Sequence, residues 1–164
     1  MEKIKLSNKL ILEAFASIEG LKKLDKINTD VLYAVHRTSS KINEFVDAIK
    51  GMAVPSAQFS EYEKKRIELA KKHSKKDKDG NPILTGVGDQ QSFVLDNQVG
   101  FEEEIKALQE DYKDELTDRS ARLDALEAKL KEEVEVEVHK FKLESLPKEM
   151  PKTLFDGLVP LFLD

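Results

Sequence analysis

The sequence predicts a mainly α-helical fold of the α+β class: a long antiparallel helical hairpin, coiled-coil-like, with a small β-sheet and short helices at its base. Three observations carry this. First, after Gly100 the chain runs to Glu133 without Gly or Pro. Along that run Phe101, Ile105, Leu108, Tyr112, Leu116, Leu123, Leu126 and Leu130 form a nearly heptad stripe, interrupted at Arg119, which is the pattern of one long amphipathic helix. Second, Asp79-Gly80-Asn81-Pro82 is a strong turn signal, and the segments around it differ in sign. Residues 61–82 hold 8 Lys or Arg against 5 Asp or Glu, and residues 99–137 hold 6 against 14. Opposite charge helps to select a partner and its orientation. Third, the pattern changes period at Val134, Val136 and Val138, which alternate with Glu135, Glu137 and His139 as in a strand with one buried face.

The remaining elements follow in order. Lys3 to Leu6 alternate polar and apolar, which predicts a short strand to lie beside the one over Val134–Leu143. Ser7 or Asn8 offers an N-cap, because a side-chain oxygen there can accept from an unpaired backbone N–H. A helix should follow through Glu19, with Gly20 as its stop. Asn28-Thr29-Asp30 starts a second helix, whose stripe Val31, Leu32, Val35, Ile42, Phe45, Val46 and Ile49 runs to about Lys50. Gly51 and Pro55 end it. Ser60-Glu61-Tyr62-Glu63 reads as a capping box for a third helix to about Lys76. Ile83-Leu84 and Ser92–Leu95, with Gly86 and Gly88 between them, suggest a small hairpin or an irregular, mobile tip. Beyond the valine strand, Phe141 and Leu143 are out of phase, so a bulge is expected near Lys140. Pro147 and Pro151 bracket a linker, and Thr153 can cap a last helix carrying Leu154, Phe155, Leu158 and Val159.

A chain of 164 residues with a formal net charge of −5 is expected to form one domain over 1–164, with arms at about 30–76 and 99–133 and a base from 1–20 and 134–164. The absence of Cys excludes disulfides, cysteine zinc sites, iron–sulfur clusters and thiol catalysis. Charge is interleaved with apolar residues from the start, so no secretory signal is expected. Leu158 to Leu163 is too short to span a bilayer, which takes about 20 residues, so no membrane partner is expected.

Each candidate site motif is better explained by structure. In Asp77-Lys78-Asp79-Gly80-Asn81 the Gly falls too early for a calcium loop and the bidentate Glu is missing. Gly80 to Gly86 has the end spacing of a phosphate loop, but Val87 and Gly88 stand where Lys and Ser or Thr are needed. Glu135, Glu137 and His139 share a strand face, yet neighbours there are roughly 7 Å apart at about 3.3 Å per residue, too far to converge on one metal. The acidic runs Glu102-Glu103-Glu104 and Glu132-Glu133 read as solvated helix faces. Lys71-Lys72-His73-Ser74-Lys75-Lys76 is flanked by Glu68, Asp77 and Asp79 and lacks aromatics for base stacking. Lysines at a helix C-terminus suit the macrodipole, so nucleic-acid binding is not expected. No catalytic, cofactor-binding or metal-ligating residue is assigned. The candidate interaction surface is the stripe Leu108, Tyr112, Leu116, Leu123 and Leu126, taken to engage a protein partner or a second copy.

The order of these pieces resembles a widespread family of small uncharacterised proteins of tailed bacteriophages and prophages. The features that carry it are Ile4-Lys5-Leu6-Ser7-Asn8, the stretch Tyr62 to Lys76 ending in Asp77 to Pro82, the helix opening Phe101-Glu102-Glu103-Glu104, the strand Glu133 to Val138 and the closing Leu158-Val159-Pro160-Leu161-Phe162. Residues 51–58 and 113–126 depart from it as extra length in the two long helices. The resemblance implies a phage setting, in the host cytoplasm or the virion, and no site residues. The function expected is a non-enzymatic accessory protein that binds a host factor or defence component. The alternatives are a virion structural or assembly component and an oligomer that sequesters a nucleotide.

Overall fold

The computed structural model describes residues 2–88 and 91–163, with the backbone alone for Phe162 and Leu163. It is mainly helical, with a small two-stranded sheet. Its contacts divide into two units, residues 1–54 with 123–164 and residues 55–122.

The first unit opens with strand β1 (Glu2–Ser7), which pairs antiparallel with β4 (Glu133–Val138), Ile4 opposite Val136 and Leu6 opposite Val134. The period-two pattern has the expected consequence: Val136 and Val138 are buried, while Val134 is half-buried near the strand's start. Lysines of β1 stand opposite glutamates of β4 on the solvent side, with Lys3 Nζ 2.9 Å from Glu135 Oε1. Ser7 caps helix α1 (Asn8–Leu21), its hydroxyl accepting from the Leu10 N–H. The helix does not stop at Gly20. It runs on to Leu21, which is fully buried, because burial of that side chain outweighs the modest cost of a helical glycine.

Helix α2 (Thr29–Ala53) starts where Asn28 predicts, the Asn28 side chain accepting from the Asp30 N–H. Expected among the arms, it belongs to the first unit. It packs on α1 and β4 and supplies Val31, Val35, Ile42 and Val46 to the core. Strand pairing stops after Val138, where the His139 N–H instead donates to Thr38 Oγ1 at 2.9 Å. Short strand β5 (Phe141–Lys142) then pairs in parallel with β6 (Phe162–Leu163), so the phase change marks a new partner, not a bulge in one strand. Helix α6 (Lys152–Leu158) begins after Pro151, without a side-chain cap from Thr153. It packs on α1 at a close crossing, where a Cβ on Gly157 would lie 2.8 Å from the Glu13 carbonyl.

In the second unit, helix α3 (Ala57–Lys72) is capped by Ser56, whose Oγ accepts from the Phe59 N–H at 2.9 Å. Ser60 is therefore interior, its hydroxyl bonding back to the Ser56 carbonyl. Ser56 follows Pro55 directly, so capping there starts the helix one turn earlier than Ser60 would. The helix ends at Lys72, four residues sooner than its lysine run suggests, because the chain beyond His73 is held as an extended segment. There Lys75 donates to the Val94 carbonyl at 2.7 Å, Val94 to Ile83 at 2.9 Å and Ile83 back to Lys75 at 2.9 Å, a closed ring of three backbone bonds. Beside this ring β2 (Leu84–Thr85) and β3 (Ser92–Phe93) form a hairpin, whose expected tip residues Asp89 and Gln90 lie outside the described residues. In the turn, Asp77 Oδ1 accepts from the backbone of Asp79 and Asn81, and Gly80 takes φ +81, open to glycine at no steric cost. Asn81's N–H, first among these donors, holds the Asp77 carboxyl below its usual range.

The expected single long helix is two. Helix α4 (Gln98–Asp111) begins at Asn97, which accepts from the Gly100 N–H, and α5 (Lys113–Lys131) follows a break at Tyr112, with φ −110 and ψ 18. The Tyr112 ring packs on Tyr62, with centroids 5.7 Å apart, and its hydroxyl accepts from Lys65 Nζ at 2.9 Å. These tertiary contacts fix the tyrosine where no Gly or Pro marks an interruption. Helix α5 runs across the division between the units. At its end, Asn8 donates to two carbonyls, from Nδ2 to Lys129 O at 2.8 Å and from its backbone N–H to Glu132 O at 2.9 Å.

Candidate interaction surface

The predicted surface is divided between the units. Leu108 is 8% exposed and is buried with Tyr62 in the second unit. It therefore serves internal packing. Tyr112 and Leu116 are half-buried in the same unit, and Leu123 (46% exposed) and the half-buried Leu126 fall in the first.

Three positions in the second unit bring polar and apolar groups together. The first is the junction of α3 and α4. Glu104 takes Lys72 Nζ at 2.6 Å and lies 3.1 Å from His73 Nε2. Since a carboxylate only accepts, the latter bond needs the proton on Nε2. The Lys72 bond, then that of His73, lowers the Glu104 pKa. The His73 carbonyl receives the Asp96 N–H at 2.9 Å. These bonds tie the end of α3 to α4 and to the segment before it.

The second is a groove of about 500 Å³ between α3, the hairpin and the start of α4, with Ile67, Ala70, Leu84, Phe93, Leu95 and Phe101 in its walls and Arg66 at its rim. Arg66 is bound to Glu63 at 2.8 Å. The third is a shallower depression of about 490 Å³ where α3 meets α4, with Leu69, Ala107 and Leu108 as its apolar floor and Lys65, Lys72, Glu104 and Asp111 around it. The hairpin expected from the turn and the charge contrast pointed to contact between these two segments, but their sequences do not mark which residues line the two depressions.

Among the described residues, no group of three or more His, Asp or Glu is placed to hold a metal, and no helix is long and apolar enough to cross a membrane. Compared with known proteins, the chain matches no family model, no curated protein and no solved structure.

Proposed function

We propose that the protein works by binding protein and not by catalysis, and that residues 55–122 form its binding unit. In this reading α3, α4 and the first turns of α5 act as an antiparallel, coiled-coil-like helical hairpin. Supporting pairs run in opposite directions along the two helices: Lys72 with Glu104, Lys65 with Tyr112, Ser56 with Glu115. The observation that carries the reading is the imbalance between buried and exposed apolar groups. Tyr62 and Leu108 are the buried hydrophobics in this unit among the described residues, while Ile67, Leu84, Val87 and Val99 are 39%, 47%, 88% and 68% exposed. A two-helix layer leaves its outer faces for another element to cover. The resemblance supplies the setting, an accessory protein of a phage acting on a host factor or defence component in the host cytoplasm.

The test compares equally exposed positions in the two units. A photo-crosslinking residue is placed at Val87, Val99 or, as the control, Val54, which is 62% exposed in the first unit. Adducts with another polypeptide at Val87 or Val99 and none at Val54 are expected in cells. Adducts confined to Val54, or none at any position, overturn the reading.

A further inference from the structure

We propose that the face where α3 meets α4 binds a second copy of this chain, completing a four-helix bundle in which the two-fold axis runs parallel to the helices. The proposal rests on the reading of residues 55–122 as the binding unit and names its partner. Charge decides the arrangement. On this face α3 presents Lys65 and Lys72, and α4 presents Asp111 and Glu104. Lys72 is bonded to Glu104, and Lys65 to the hydroxyl of Tyr112, the residue after Asp111. The basic helix thus lies beside the acidic one at both ends of the face.

Two self-complementary ways exist to place a copy on such a face. If the axis is perpendicular to the helices, α3 packs on the partner's α3 and α4 on its α4, so lysine meets lysine and carboxylate meets carboxylate. If the axis is parallel to the helices, heights are preserved and α3 lies on the partner's α4. The order around the bundle then alternates basic, acidic, basic, acidic, at the level of Lys72 with Glu104 and again at the level of Lys65 with Asp111. Like charges pressed together are disfavoured, and alternation suppresses the wrong register. Two carboxylates of α3 work against the arrangement: Glu68, on the face itself, and Glu61, which holds Lys65 at 2.9 Å.

Shape agrees with charge. Ala107 is exposed and Leu69 is half-buried, midway between the charged ends. The parallel axis sets the partner's Leu69 over Ala107, a large side chain over a small one, in both halves of the interface. The α4 helix has 14 residues, about 21 Å of length. Two such helices packed 8–10 Å apart offer a small face, in the range of transient interfaces.

Sedimentation between about 10 μM and about 1 mM, the range for a weak interface, tests this. The weight-average mass should rise from 18.6 kDa toward twice that value, and added salt should weaken the association. Ala107→Arg places a long cation in the seam at an exposed position, so it should keep the fold and stay monomeric. Because the chain contains no cysteine, single-cysteine variants report the geometry. A mixture of Leu69→Cys and Ala107→Cys should oxidise to a mixed disulfide dimer, and Leu69→Cys alone should not. A Leu69→Cys homodimer overturns the parallel axis. A wild-type monomer over the whole range overturns the second copy, and the wider protein-binding reading then stands or falls on the Val87 and Val99 adducts.

Discussion

Residues 1–54 with 123–164 and residues 55–122 are both helix-rich, but their interiors differ. In the first unit α1 packs on α2 and α6, α2 packs on β4 as well, and Ile11, Ile18, Leu21, Val31, Val35 and Val138 are sealed from solvent. In the second unit the buried hydrophobics are Tyr62 and Leu108, and much of the order comes from polar ties: the Asp77 turn, the ring of Lys75, Ile83 and Val94, and the Glu104 contacts. Apolar burial contributes roughly 25 cal/mol per Å², whereas exposed ion pairs contribute little. Stability therefore resides in the first unit, and the second is placed to be the part that opens or exchanges partners.

The largest expected effect is a charge in the thick core. Val136→Asp buries an unpaired carboxylate against α1 and α2 and should destabilise by on the order of 4 kcal/mol, removing the cooperative thermal transition. An unchanged melting temperature would take the β1–β4 pair out of the core. Next is Gly157→Ala, whose Cβ meets the Glu13 carbonyl at 2.8 Å and the Ser17 side chain. Backbone cannot move aside cheaply, so a loss of about 1–3 kcal/mol is expected, measured by denaturant titration. Leu108→Ala removes half of the second unit's buried apolar pair. It should cost roughly 2–3 kcal/mol, read as faster amide exchange across residues 57–111 with the first unit's protection retained. Exchange rising equally in both units would erase the contrast between them.

What the sequence discloses follows the same division. The valine alternation, the caps at Ser7 and Asn28 and the apolar stripe of α2 are local signals, and the structure repeats them except at Leu32, which is 40% exposed. The role of α2 was hidden because periodicity shows which face is apolar but not which neighbour covers it; an amphipathic helix reads alike in an arm and in a base. In the second unit the decisive interactions are between segments. Tyr112 breaks a helix through its contacts with Tyr62 and Lys65, some fifty residues away in sequence, and nothing near Tyr112 announces it. Leu108 fills an internal groove, and a heptad position looks the same in sequence whether the groove it fills is internal or external.

The smallest expected effect separates the units by pH. His139 Nε2 is buried without a hydrogen-bond partner, and the ring meets Tyr33 edge-on at 5.7 Å. Burial first, then the nearby cations Arg37 and Lys41, push its pKa below the usual 6.5, while Glu137 opposes them. A histidine with a lowered folded pKa binds fewer protons folded than unfolded, so its contribution is complete above pH about 6.5. It is lost progressively as pH falls from there to the depressed folded value. Glu104 and Asp77 in the second unit are carboxyls with lowered pKa values. Their contributions are intact above the ordinary carboxyl range and are lost only as pH falls through and below it, near pH 4 or lower. Between pH 7 and about 5 the first unit should therefore lose a little stability through His139. Over the same interval the Asp77 turn and the Lys72–Glu104 tie should stay constant. Unfolding followed at pH 7, 6 and 5 in wild type and His139→Gln checks this, because the variant removes the titrating group and should flatten the first unit's slope. An identical slope in both proteins would move the origin of that pH dependence away from His139.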